Sequence, residues 1–548
     1  MIRALALFFV GLTFLVFPVR AADYYVDNVS GDDSFTGQMK KANGEGGGPY
    51  GTIARALKEA GAGDTVHLNP TGKLYRQKAD FYGHEGGVEG SPLTLDGHGA
   101  TLCGGDPVSA AGWRSWKQGV LTRSDVVPRG FMVVDGEMVF GTIGFNVLRP
   151  GEFIWLARHG GRLYFYPPKG RKASKCSVEV EWPGGQKETL DPQTWHHSHS
   201  RIGAVRRYPM KRQPEAIWFD DKKAPFITTK NRLEPGEWVV EEDTVYYRPE
   251  KDSNLTEMDV QFAVRGNGVQ MNGGTAHVVV KNLNVRWVYN DGYNIHGRVT
   301  DARFYNCNAR DTGDEGFSAH DACETLLDGA TYVNNSHSIA NVNRSGHSVT
   351  RNVVLARARR AGYLIKTGGK GIDAVHHVLE HAVMIDNPTH IAASNTRVND
   401  VLAVSSAEGK VGHVVHAGRD LTVKGLTASG GRIRAGKAPL NVQNSVLDCH
   451  FHVRADDPMK VIELRNVILS KSGKIEWGSR YPWKRLSAAE WLKGAERTGA
   501  AENCRVEDLD YLLRAVRDGK KTALREEIGC SENTWKIYQE AALSEANK

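Results

Sequence analysis

The sequence predicts an all-β chain: a right-handed parallel β-helix, a single-stranded solenoid, with a β-sandwich-like insert, an N-terminal capping helix and a helical C-terminal tail. Three observations carry that expectation. The 548 residues include 60 glycines but only 20 prolines, a balance that favours many tight turns. From residue 280 onward an Asn followed by alternating apolar residues recurs, as Asn282-Leu283-Asn284-Val285, Asn306-Cys307-Asn308-Ala309, Asn352-Val353-Val354-Leu355, Asn444-Ser445-Val446-Leu447 and Asn466-Val467-Ile468-Leu469. Weaker copies start at Ala330, His381, Asp400 and Lys424, and the steps average about 23 residues. A unit this short cannot enclose a core alone, so copies must stack and share one. Three short strands with their turns need about that many residues at ~3.3 Å per strand residue. A β-sandwich would instead show hairpin turns at closer spacing, and leucine-rich repeats would show their leucine signature.

Composition bounds the function. With 40% hydrophobic and 24% charged residues the chain is globular, and its glycine is far from collagen's one third. The formal charge is +7, but Lys and Arg are scattered, which argues against a nucleic-acid partner.

Residues 1–22 read as a cleavable signal peptide. Arg3 precedes an apolar stretch from Ala4 to Phe17, and small residues at Ala21 and Ala22 offer a cleavage site. That run falls short of the ~20 residues a membrane span needs, and no later segment qualifies. The expected location is secreted or periplasmic, without a membrane span. Export permits disulfides, yet seven cysteines leave at least one unpaired. Cys504 and Cys530 flank a helical stretch and are a candidate bridge, Cys307 reads as a buried strand residue, and no C-x-x-C pair suggests a zinc site.

Residues 23–104 form the N-terminal cap and first coils. Asp23-Tyr24-Tyr25-Val26-Asp27 leads through Gly31-Asp32-Asp33-Ser34 and Gly48-Pro49-Tyr50-Gly51 to a short helix, Ile53 to Ala60, and then to Gly63-Asp64-Thr65-Val66-His67-Leu68. A helix there would plug the open end of a solenoid, whose edge otherwise invites aggregation. This opening resembles that of secreted bacterial right-handed β-helix proteins of the pectate-lyase-like superfamily. With the repeats, the resemblance covers most of residues 23–100 and 260–480. It implies a carbohydrate-active protein with its active carboxylates on adjacent coils.

Residues 105–255 form a β-rich insert with two hairpin signatures. Pro150-Gly151-Glu152-Phe153-Ile154-Trp155-Leu156 leads to Leu163-Tyr164-Phe165-Tyr166, and Pro235-Gly236-Glu237-Trp238-Val239-Val240 leads to Val245-Tyr246-Tyr247. The insert resembles the β-sandwich insertion of some β-helix glycoside hydrolases, including β-xylosidase-type families. Residues 256–483 are the β-helix core. Residues 484–548 show helical spacing over Ser487 to Leu492, Val506 to Arg517 and Thr522 to Ile528, which predicts a helical cap.

The densest chemistry lies on two consecutive coils. Asp291-Gly292-Tyr293-Asn294-Ile295-His296 recurs 24 residues later as Glu315-Gly316-Phe317-Ser318-Ala319-His320, and Ala361-Gly362-Tyr363-Leu364-Ile365-Lys366 echoes it. One coil apart means Asp291 and Glu315 about 5 Å apart, in an exposed column with Tyr293 and Ile295 pointing inward. Asp311, Asp314, Glu315 and Asp321 crowd eleven residues beside His320. Such carboxylates repel unless one keeps a proton or a cation intervenes. The first state suits a glycoside hydrolase: Asp314 or Glu315 as acid, Asp291 or Asp321 as base or nucleophile, His320 positioning them, and no cofactor. The second suits a lyase of uronate polymers, with Ca²⁺ and a base among Lys366, Arg344 and Arg357. A third reading is a non-catalytic carbohydrate-binding solenoid whose acidic residues merely form turns. His296, Trp287, Tyr289 and Lys366 are candidate substrate contacts, as are Trp195 and Trp218, though burial commonly claims such aromatics. Trp195-His196-His197-Ser198-His199 reads as a polar loop, and no protein metal site is assigned. The expected partner is a polysaccharide or oligosaccharide, bound by a monomer.

Overall fold

The computed structural model describes residues 21–115, 259–342, 346–366, 377–405, 412–419, 421–436, 438–479, 482–509 and 530–546, with strand and turn segments between residues 120 and 249. Residues 1–20 of the expected signal peptide, Arg344, Trp195 and His199 lie outside the described residues. The chain divides into two compact units. One comprises residues 1–102, 267–286 and 291–548, the other residues 103–266 and 287–290.

The first unit is a parallel β-helix. A 26-stranded sheet winds through it, parallel except for the hairpin of Lys474–Trp477 with Lys484–Ser487. Its ladders run from coil to coil: Ala276–Arg286 pairs with Thr300–Arg310 and His347–Ala356 with His377–Ile385. The repeated Asn explains the bend inside each long strand. Asn282, Asn306, Asn352, Asn444 and Asn466 all have left-handed backbone, with φ between 48° and 55°. His381 and Asp400 take the same role, while Gly329 and Gly425 take it beside Ala330 and Lys424. An L-residue resists this conformation, and Asn tolerates it best because its short amide bonds locally. Stacked copies add a ladder: the Asn466 amide donates to Asn444 Oδ1 at 2.9 Å, and that of Asn306 to Asn282 Oδ1 at 3.2 Å.

Alternation then fills the bore. Tyr293, Phe317, Ile339, Tyr363, Ile391 and Val415 occupy one column on successive coils and are buried. Full burial of each such side chain stabilises the fold by about 1.5–3 kcal/mol. Cys307 is also buried, as its strand position predicts.

Both ends are closed by helices. Ile53–Glu59 is capped by Thr52, whose hydroxyl accepts from the Arg55 amide, and buries Ile53, Ala56 and Leu57. Ala488–Thr498 starts at Ser487 in a reciprocal cap with Glu490 and ends at the left-handed Gly499. Two tail expectations need correction. Val506 lies in a strand, Arg505–Glu507, because it extends the ladder of Ile462–Ser470. Cys504 and Cys530 are free: Cys504 adjoins that ladder, whereas the Cys530 amide donates to Thr427 on another strand. The stretch from residue 510 to 529 lies outside the described residues. A helix the sequence pattern did not mark, Glu532–Ala546, buries Trp535 and Tyr538 on Val354, Val383, Leu402 and Val404, an apolar outer patch of the solenoid. Among the described residues no helix is long and apolar enough to cross a membrane.

Among the described residues the second unit holds four four-stranded antiparallel sheets. Both hairpins form, Phe153–Leu156 with Arg162–Phe165 and Trp238–Glu241 with Thr244–Tyr247. His196 and His197 are strand residues opposite Arg207 and Arg206, not loop residues, and Trp218 lies on a strand opposite Glu179.

The corner geometry generates a prediction. Asn466→Val loses the ladder bond and also places a β-branched residue at positive φ, whereas Asn466→Gly loses only the bond. Thermal unfolding should show the Val variant less stable than the Gly variant by about 1–2 kcal/mol. Equal losses would refute the conformational role.

Candidate functional site

The register that aligns Tyr293, Phe317, Ile339 and Tyr363 places Asp291, Glu315, His337 and Ala361 in a second column, two residues earlier, at a corner of the coil. The backbone ladder continues through that corner: the Gly292 amide donates to Glu315 O and the Gly316 amide to His337 O, each at 2.9 Å. The Gly-aromatic signature follows from this close approach. A Cβ on Gly292 would sit 2.5 Å from Gly316 O, and one on Gly316 2.6 Å from Ser338 O.

The carboxylates meet as the spacing predicts, but at different depths. Asp291 is buried at 3% exposure, not part of an exposed column. Its Oδ1 accepts the Glu315 amide at 3.1 Å and its Oδ2 accepts the Asn294 side chain. Glu315 is partly open, and its Oε1 lies 2.9 Å from His337 Nδ1. Asp314 joins them: ligand-type atoms of Asp314, Glu315 and His337 all fall within 4.8 Å of one another.

The turn bearing these groups is braced from below. Thr312, fully buried, places its hydroxyl 2.8 Å from Asn335 Oδ1 and 3.0 Å from Asp314 O. Arg359 donates to the carbonyls of Thr312 and Gly313 at 2.8 Å and to that of Asn334 at 2.6 Å. Burial lowers the Arg359 guanidinium to about 10, the cost of holding a cation under the turn.

Two carboxyls on adjacent coils in a partly dry corner cannot both be charged cheaply. Burial, reinforced by the charge of Glu315, raises Asp291 well above the usual carboxylate range. Burial, with the charge of Asp314 beside it, lifts Glu315 to about 7. Neutral pH therefore finds a proton shared by the pair. His337 goes the other way: burial, then the charge of Arg360, lowers it to about 4. A neutral His337 can accept at Nδ1 from a protonated Glu315 or donate Nδ1–H once Glu315 ionises.

The remaining candidates divide. Asp311 is a corner residue, with φ of 54°, accepting from Arg310 and Asn334. Asp321 is an exposed turn residue with φ of 66°. Both take the turn role, whereas Asp291, Asp314 and Glu315 converge. His320 lies at the far end of its strand and stacks on His296, ring centroids 4.4 Å apart. The imidazole on Glu315 is His337. Sequence reasoning missed it because its coil carries Ser338-Ile339 where the others have Gly-aromatic. Its signal was positional, 22 residues after Glu315 and 24 before Ala361. Lys366 is exposed in the His296–His320 column and Arg357 at an outer corner. Trp287 is 4% exposed, which leaves no open face for a sugar. Tyr289 is half-buried under Arg129, whose guanidinium lies 5.7 Å from its ring.

The described groups gathered at this corner are two carboxylates and an imidazole already bonded to one of them. A groove of about 590 Å³ opens on the neighbouring sheet, lined by Asn284, Arg286, Asn308, Arg310 and Arg357, and Arg310 ties it to the corner through Asp311.

No protein-family model matches the chain, and no curated protein matches it. Among solved structures it is similar to one described as the complex of XylC with xylose, at 14% identity and a TM-score of 0.38, covering 83% of this chain and 69% of that one. A rhamnogalacturonan lyase is similar at 11% identity and 0.31, over 74% and 82% of the two chains. A GH136 lacto-N-biosidase from Eubacterium ramulus is similar at 9% identity and 0.31, over 82% and 60%.

The raised Glu315 has a stability consequence. Its native value of about 7 exceeds the ordinary 4.5, so the unfolded chain releases this proton first as pH rises. Stability contributed by this group is present below about 4.5 and is lost as pH climbs to about 7. Glu315→Gln should therefore raise the melting temperature relative to wild type at pH 8 and change it little at pH 5. A lower melting temperature at pH 8 would contradict the shared proton.

Proposed function

We propose that this chain is a secreted glycoside hydrolase that acts on a polysaccharide or oligosaccharide through the Asp291–Asp314–Glu315 corner, without a cofactor. One observation carries the reading: the partly buried Glu315 carboxyl, pushed up to about 7 by burial and the charge of Asp314, has that second carboxylate within 4.8 Å. Glycoside hydrolysis needs that pairing, an acid to protonate the leaving oxygen and a carboxylate to attack or to activate water.

Glu315 is the acid. Its value of about 7 keeps it largely protonated just below neutrality and lets it act as base in a second step. Asp314 is the nucleophile, one of its carboxylate oxygens lying within 4.8 Å of one of Glu315. Asp291 is too buried to touch a sugar, and its part is to hold Glu315 through the backbone amide and to share its proton. His337 orients Glu315, and Arg359 fixes the turn.

The test is turnover of a panel of neutral and anionic glycans, with product anomers followed by NMR. Glu315→Gln and Asp314→Asn should each lower kcat by at least about 10²-fold. The rate should fall as pH rises through about 7, EDTA should not affect it, and the first-formed anomer should keep the substrate's configuration. Inverted product would exclude Asp314 as nucleophile. Products absorbing in the ultraviolet and abolished by EDTA would replace hydrolysis by elimination.

A further inference from the structure

The strand face that bears the candidate corner continues down the solenoid, and its outward residues change character there. Thr389 follows Ala361 in the Glu315–His337 column, and His413 follows Thr389. Beside it His416, Arg434, His452 and Glu476 stand in register on successive coils, and Arg432 pairs with His450. Alternation fixes their direction: Ile433, Phe451 and Ile475 between them are buried, so Arg432, Arg434, His450, His452 and Lys474 face out.

The cations of this face are Arg432 and Arg434 on one strand and Lys474 on another. Here burial and the neighbouring arginines depress His413, His416 and His452, while burial and Lys474 depress His450. Two acids share the surface, Glu476 bonded to Arg485 and Asp448 accepting from Ser472, and neither pairs with Arg432 or Arg434 among the described residues. A bulge sharpens the relief. Gly430 and Gly431, both at positive φ, shift the register between Ser429 and Arg432. They open a groove of about 520 Å³ lined by His413, Arg432, His450 and Asp448. Trp483 lies against His452, centroids 3.9 Å apart, and brings an aromatic ring to the edge of this surface.

We propose that this face is a second binding site, a track that takes the carboxylate or sulfate groups of an anionic glycan. Arg432, in the groove, and Arg434, two residues further along the same strand, offer guanidinium forks to carboxylate or sulfate oxygens. The site deepens the glycoside hydrolase reading, on which its role as a substrate track rests: the chain enters over the cations and reaches the carboxyl corner on the same face.

The test is calorimetric titration of the full chain with alginate, dextran sulfate, uncharged dextran and a duplex DNA oligonucleotide. Alginate or dextran sulfate should bind, dextran should not, and added salt should weaken binding. Arg432→Ala with Arg434→Ala should weaken it at least tenfold, while the Lys pair at the same positions retains most of it and controls for folding. Titration reads binding without turnover, so a failed hydrolase reading leaves this result standing. Binding unchanged in the Ala pair, absent for both anionic glycans, or equal for dextran would overturn the track. DNA bound tighter than either glycan, and lost in the Ala pair, would overturn the glycan assignment.

Discussion

Every residue of a parallel β-helix lives ~4.8 Å above and below its own counterparts, and that repeat constrains all else in this chain. A side chain is acceptable only if it tolerates a near-copy of itself on the next coil. Asn on Asn satisfies the rule with a hydrogen bond, and Tyr293 on Phe317 on Ile339 satisfies it by excluding water. Carboxylate on carboxylate does not, and the corner resolves the conflict with a shared proton. Burial and the neighbouring charge raise both Asp291 and Glu315 above the usual carboxylate range.

The same rule explains why the corner is so heavily braced. A protonated Glu315 is useful only if it cannot swing into water and ionise. Asp291 below, His337 above and the turn clamped by Arg359 hold it at the rim. The stability lost to this strain is spread over a bore of buried aromatic and branched residues that repeats for many coils.

Much of this was legible in the sequence because the repeat writes structure in register. The Asn period marked the left-handed corners, and the Gly-aromatic signature aligned Asp291 with Glu315 before any coordinates. His337 escaped because Ser338 and Ile339 replace the signature while keeping its geometry: the column tolerates a change of residue that a pattern does not. Asp321 read as a candidate base because it is near in sequence, yet it sits at a turn with φ of 66° and outside the Asp314–Glu315–His337 group. The cationic face was hidden for the opposite reason. Arg432, Arg434, His450 and His452 look scattered along the chain and become one surface only when the coils stack. The helix Glu532–Ala546 was missed because its apolar partners, Val354 and Leu402, read as ordinary strand residues.

The central claim is that coil stacking leaves a proton on the Asp291–Glu315 pair at neutral pH. Carbon-13 NMR of side-chain carboxyls in glutamate-labelled protein, titrated from pH 4 to 9, tests it most directly. One glutamate resonance should titrate near 7 and vanish in Glu315→Gln. If every glutamate resonance titrates in the ordinary range below about 5, Glu315 is ionised at neutral pH and is not the acid of this corner.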